Sequence, residues 1–167
     1  MNDFQSLLAA GRDYKNYAQD GSVQEINATH LYEQKLNADS LSFSLQQRLA
    51  SVKGHYSLLV AAEMWCPDCQ RNLSAMNLLC QMQPRIDMRI ISKARAERAL
   101  KALMGVERIA IPCVAVLDAQ QHLIGQFIEQ PQNVINGDEA TREAYERGEL
   151  LSDTINELLH IIMFAER

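Results

Sequence analysis

The tightest constraint on this chain is a short apolar run that ends in two cysteines one helical turn apart. Tyr56 to Ala62 (YSLLVAA) has the pattern of a buried strand. It leads directly into Trp65-Cys66-Pro67-Asp68-Cys69, after which Leu73, Met76, Leu79 and Cys80 recur with helical spacing until Pro84 closes the segment. Cys66 therefore falls where a strand ends and a helix begins. Pro67 suits the first helical position, because the N–H it lacks has no partner there. At the N-cap, unpaired amides and the positive end of the helix dipole favour thiolate over thiol. Cys69, one turn further, can close a small ring with Cys66. Cys66, at the open end, is the expected nucleophile, and Cys69, inside the first turn, the expected resolving thiol.

The flanking pattern alternates. Asp87 to Ser92 reads as a second strand, Ala94 to Met104 as a helix stopped by Gly105, and Cys113 to Leu117 as a third strand preceded by Ile111-Pro112. A turn at Asp118 to Gln121 leads to a fourth strand, Leu123 to Ile128, which gives the order β-α-β-α-β-β with a closing hairpin. Two helices follow: Asp138 to Arg147, stopped by Gly148, and a last one capped by Ser152. The last carries an apolar stripe of Ile155, Leu158, Leu159, Ile162 and Met163 that must be covered, most simply by the sheet. Ahead of the first strand, residues 2 to about 53 read as helical. There Phe4, Leu7, Leu8, Tyr14 and Tyr17 fit one face, and Ser22 with Glu25 forms a capping box. Ser40 is placed to cap a helix carrying Leu41, Leu45, Leu49 and Val52, ended by Gly54. The 167 residues suffice for one sizeable core, and the expected division is a helical extension at 1–53 packed on an α/β domain at 54–167.

Composition narrows the function classes. A formal charge of −5, with Lys93, Arg95, Arg98 and Lys101 as the one basic run, speaks against nucleic acid as the main partner. The N-terminus has no basic n-region or long apolar stretch, and no window approaches the ~18 apolar residues of a membrane span. The expected location is a reducing cytoplasm, where four cysteines do not make a disulfide framework and CxxC means redox or metal chemistry. Zinc requires about four ligands, usually from a second knuckle. Cys80, Cys113 and His122 form no second close pair, and Cys80 lies roughly 16 Å along the helix from Cys69. No metal site is expected.

The apolar strand ending in WCPDC, the helix starting there and a hydrophobic-Pro step opening a strand some forty residues later resemble the thioredoxin superfamily over about residues 55 to 165. The resemblance implies a thioredoxin-like α/β fold: a central mixed four-stranded sheet in the order β-α-β-α-β-β-α, here with an N-terminal helical extension. The pentapeptide looks like that of a thioredoxin-related disulfide reductase subgroup, and the extension like that of bacterial thioredoxin-like proteins of poorly defined role. By that resemblance Cys66 matches the attacking and Cys69 the resolving cysteine. Trp65 matches the aromatic residue beside the site, Pro112 the cis-proline opposite the disulfide, and Ile111 the residue whose backbone pairs with an extended substrate. The implied activity is thiol-disulfide exchange on protein or small-molecule disulfides. It needs no cofactor beyond the redox-active disulfide, with a reductase or low-molecular-weight thiol as electron donor.

Departures from the family pattern bear on the chemistry. Where thioredoxins carry a buried acid six residues before the first cysteine, this chain has Val60. Glu63, Asp68 or solvent remain as proton acceptors for the resolving thiol. The Asp68 carboxylate should oppose ionisation of Cys66 and partly offset the helix dipole, leaving the thiol pKa near ~7. Cys113, directly after Pro112, is either a modulating third thiol or a small buried hydrophobe in a strand. Cys80 and the methionines read as core, and no histidine is placed to pair with Cys66. Two rival readings are a thioredoxin-fold binding module with a vestigial CxxC, its groove narrowed by the N-terminal helices, and a zinc-binding protein.

Overall fold

Strands β1 (Tyr56–Ala61) and β3 (Cys113–Leu117) are apolar at nearly every position, as suits strands covered on both faces. The structure, a computed structural model, describes residues 3–167; Met1 and Asn2, the first residues of the expected helical extension, lie outside it. With β2 (Ile86–Ile91) and β4 (Leu123–Ile128) these strands form one mixed sheet in the order β2-β1-β3-β4. β1 runs parallel to β2 and antiparallel to β3, and β3 runs antiparallel to β4. Leu58 to Ala61 and all of β3 are fully buried.

Alternation along the strands sends side chains to two covered faces. Helices α5 (Pro67–Met82) and α10 (Leu151–Ala165) pack together on one face, where a Cβ on Gly125 of β4 would collide with Ile161 of α10. Val116 is paired with Gly125 and shares this face. Cys113, at an odd position of the same strand, points to the opposite face, and its Sγ lies 3.7 Å from Met104 Sδ. That face is covered by α1 (Phe4–Ala10), α2 (Tyr14–Ala18) and the helical segment between β2 and β3. The segment begins as α6 (Lys93–Arg95), widens to a π-helical turn at Ala96–Leu100 and ends as α7 (Lys101–Met104), where Gly105 takes a left-handed φ of 70°.

The N-terminal region departs from an unbroken helical face. Gly11 leaves α1 in an extended conformation, and Asp13 starts α2 by accepting from the Asn16 amide. Between them Arg12 exchanges both backbone hydrogen bonds with Ile90 of the edge strand β2, at 2.9 and 2.8 Å. Leu7 and Tyr17 are nevertheless buried, with Phe4, Leu8 and Tyr14 packed around them, because the break turns the chain without lifting it off the sheet. Next, α3 (Val23–Lys35) opens with both hydrogen bonds of the Ser22/Glu25 capping box and packs on α5. α4 (Phe43–Ala50) is capped by Ser42, not Ser40; Ser40 instead pairs reciprocally with Asn37 to close a single 3-10 turn. The predicted stripe of Leu41, Leu45, Leu49 and Val52 is buried.

Two further differences lie beyond β4. A short helix α8 (Gln132–Ile135) precedes α9 (Glu139–Glu146). Ser152 does not cap α10, which starts at Leu151 behind Leu150 without a side-chain cap. Leu151 is itself buried, so the helix begins early enough to align it with Ile155 and Leu158. At the other end of α10, Glu166 accepts hydrogen bonds from the Gly54 amide at 2.7 Å and the Tyr56 hydroxyl at 2.8 Å. One continuous cluster thus joins Leu7, Tyr17 and Leu45 to the sheet and α10. Leu7→Ala is expected to lower stability by about 2–4 kcal/mol within a single urea transition. Two resolved transitions would show instead that the N-terminal helices dock as a separate unit.

Candidate active site

Pro67 opens α5 at its first turn and makes Cys66 the N-cap, so the helix starts immediately behind this sulfur. The backbone amides of Asp68 and Cys69 approach Cys66, whose side chain is only 7% exposed. Opposite it, the Ile111–Pro112 peptide bond is cis, and the Ile111 carbonyl oxygen lies 3.8 Å from Cys66 Sγ. Trp65 stands 58% exposed on the rim. Cys69, one turn deeper, is fully buried. The two thiols respond oppositely to this setting. The hydrogen bond with Cys69 brings the Cys66 pKa down to about 7, assisted by the helix amides and opposed by burial and the Asp68 charge. Burial first, then the neighbouring Cys66, pushes Cys69 far up.

Asp68 is held on the opposite side of the helix start. Its Oδ1 accepts from the Tyr145 hydroxyl of α9 at 2.6 Å and from Gln130 Nε2 at 3.3 Å, with Arg71 Nη1 at 3.5 Å. The Arg71 guanidinium sits between the rings of Tyr32 and Tyr145, 5.3 and 5.0 Å from their centroids. Asn72, fully buried, donates to Tyr145 Oη at 2.9 Å and to the Glu129 carbonyl at 3.1 Å, while its Oδ1 accepts from Thr154 at 2.7 Å. Glu129 adopts a left-handed φ of 73°, and its amide donates to the Pro112 carbonyl at 2.8 Å. Asn72 thereby ties the cis-proline loop to the helix that carries the cysteines.

The remaining sequence candidates separate. Val60 is fully buried, and no carboxylate stands at its position. Glu63 Oε2 accepts from the Lys93 amide at 2.7 Å, at the start of the helical segment beyond β2. Cys113 faces Met104 with a pKa raised to about 11, chiefly by burial. Cys80 is likewise raised by burial, to about 12. Among the described residues no group of three His, Cys, Asp or Glu side chains could hold a metal ion. Beside Trp65 the N-terminal helices leave a groove of about 420 Å³, bordered by Arg12, Tyr17, Glu63 and Arg95.

The sequence does not mark Tyr17, Arg71, Asn72, Gln130 or Tyr145 as site residues, and Tyr17 enters only as part of the N-terminal apolar face. Arg71 and Asn72 follow Asp68 by three and four residues, a spacing that puts them on its helix face and could have flagged them. Nothing local announces Tyr145, which arrives from 77 residues away. Alkylation of Cys66 in the reduced protein is expected to be half-maximal near pH 7, read from the iodoacetamide rate against pH. Its folded pKa lies below the ordinary value of 9.0, so the stability it contributes is present above that value and is lost as pH falls through about 7. The reduced protein should therefore exceed Cys66→Ala in stability by more at pH 9 than at pH 6.

The thioredoxin family model matches residues 11–144. No curated protein matches the chain. A crystal structure of a protein of unknown function from Pseudomonas aeruginosa is 41% identical, with 99% of each chain covered and a TM-score of 0.95. A crystal structure of an HIV epitope-scaffold is also 41% identical, covering 97% of this chain and 98% of that one, with a TM-score of 0.94. No helix is long and apolar enough to cross a membrane among the described residues. With its sheet order and a family match that spans most of its length, the chain belongs to the thioredoxin family.

Proposed function

We propose that this protein is a thiol-disulfide oxidoreductase that reduces or exchanges disulfides through Cys66 and Cys69. The observation that carries the reading is the asymmetry of the two thiols. The outer one is held near pH 7 in its ionisation, and the inner one is kept protonated one turn below. The Cys66 thiolate attacks one sulfur of a substrate disulfide, forming a mixed disulfide and expelling the other sulfur as thiolate. Cys69 then attacks Cys66, closes the Cys66–Cys69 disulfide and releases the second substrate sulfur, while its proton passes to the departing thiolate. Two electrons leave the protein in each cycle together with the Cys69 proton, the Cys66 proton having been given up on ionisation, so an external thiol or reductase must return the electrons.

The cis-proline loop supports substrate binding beside the sulfur. Among the described residues no hydrogen bond reaches the Ile111 amide, and the Ile111 carbonyl meets only the Cys66 sulfur. The Ile111 amide, and the carbonyl once Cys66 has ionised and no longer donates to it, are the groups proposed to pair with an extended segment carrying the disulfide. Trp65 and the adjoining groove add apolar and charged surface along one flank.

Equilibration against glutathione with thiol trapping is expected to give a reversible two-electron couple at roughly −200 to −290 mV. Cys66→Ser should abolish turnover of disulfide substrates, and Cys69→Ser should accumulate a mixed disulfide at Cys66. A pair that forms no reversible disulfide would overturn the proposal in favour of a binding module with a vestigial CxxC.

A further inference from the structure

We propose that Tyr145 is a positioning residue for Cys66: its hydroxyl fixes the Asp68 carboxylate on the α9 side of the helix start and so limits how strongly that charge opposes the thiolate. The inference rests on the reading of Cys66 as a thiolate nucleophile and adds to it a control element from outside the CxxC helix. Three buried groups form a chain of hydrogen bonds with one direction. Thr154 donates to Asn72 at 2.7 Å, Asn72 to Tyr145 at 2.9 Å, and Tyr145 to Asp68 at 2.6 Å. Asn72 and Thr154 are fully buried and Tyr145 is 1% exposed, so each donation is strengthened by the low polarity around it. The chain ends on a charge, where hydrogen bonds are strongest. Burial, together with the hydrogen bond to Asp68, keeps the Tyr145 phenol protonated and donating.

The charged and titratable groups around this point are few. Asp68 is faced by Arg71 from α5 and Tyr145 from α9, with neutral Gln130 following β4. Cys66 is faced by Cys69 and Asp68 from α5, and Tyr17 of α2 stands close enough to interact with both cysteines and with Glu63. Removing the phenolic hydroxyl leaves Asp68 with Arg71 and Gln130 alone and frees the carboxylate to swing toward Cys66. The thiolate then loses ground and the couple becomes more reducing. Removing the charge has the opposite sign and makes the hydroxyl irrelevant to Cys66.

The test is the pH dependence of Cys66 alkylation in the reduced full-length protein, for wild type, Tyr145→Phe, Asp68→Asn and the double variant. Tyr145→Phe is expected to raise the Cys66 pKa by about half a unit, a roughly threefold loss of thiolate below it. Asp68→Asn should lower it, and Tyr145→Phe should then add nothing. A Tyr145→Phe shift that is absent, or that persists unchanged in the Asp68→Asn background, overturns the proposal. Gln130→Ala perturbs the same carboxylate from a surface loop. It should give a smaller shift of the same sign that also vanishes with Asp68→Asn, and this pair decides if Tyr145→Phe does not fold. The readout needs no substrate, so a protein that fails to cycle disulfides would remove the proposed function and leave the Tyr145 result legible.

Discussion

The unpaired amides at the start of α5 are the interaction on which the reactive end of this molecule depends. A helix leaves its first N–H groups without internal partners, and here those of Asp68 and Cys69 favour the ionised sulfur of the N-cap residue Cys66. The arrangement works only if the helix cannot shift. Leu73, Met76 and Leu79 anchor α5 in the core, and Asn72 ties its first turns to α10 and to the residue after β4. The sheet fixes the helix, and the helix fixes the Cys69 thiol and the amides that together favour ionisation of Cys66. The contrast between Cys66 and Cys69 is thus a consequence of depth: two identical side chains one turn apart meet different solvents.

What could be read from sequence follows from the range of the interactions involved. β1, β3 and α5 were legible because their signals are local: continuous apolar runs, a proline at the first helical position, and apolar residues at helical spacing. The two cysteines could be named for the same reason, whereas the role of the Ile111-Pro112 step came from the resemblance to the thioredoxin superfamily. The break at Gly11 to Asp13 was not legible, since a helical face that resumes after three residues looks unbroken until Arg12 is seen to need Ile90 as a partner. Ser40 and Ser152 each looked like caps by residue type. The cap went to Ser42 in one case and to no side chain in the other, because the burial of Leu41 and Leu151 set where each helix could start. The Asp68 environment was half legible: its charge was evident, while the groups that hold it come from α9 and from the chain after β4.

The elements added around the four-stranded sheet divide their work by side. The helices ahead of β1 supply Tyr17 beneath the site and one wall of the groove beside Trp65. The segment between β4 and α10 supplies Gln130 and Tyr145 at the other flank. Arg71, stacked between Tyr32 of α3 and Tyr145 of α9, is where the two additions meet. Substitution of this one side chain would loosen both flanks at once.

The backbone exchange between Arg12 and Ile90 has a consequence for the protein's behaviour in a crowded solution. β2 is an outer strand whose free edge would offer amides and carbonyls to any extended chain passing by. A single residue of the N-terminal region occupies that edge, and the helices on either side of it stand over the neighbouring positions. The closeness is strict, because a Cβ on Gly11 would lie 2.8 Å from the Arg89 side chain. The same few residues that build the groove beside Trp65 thus also act as a guard against strand-to-strand sticking. Sequence change there is constrained by colloidal behaviour as well as by whatever the groove accommodates.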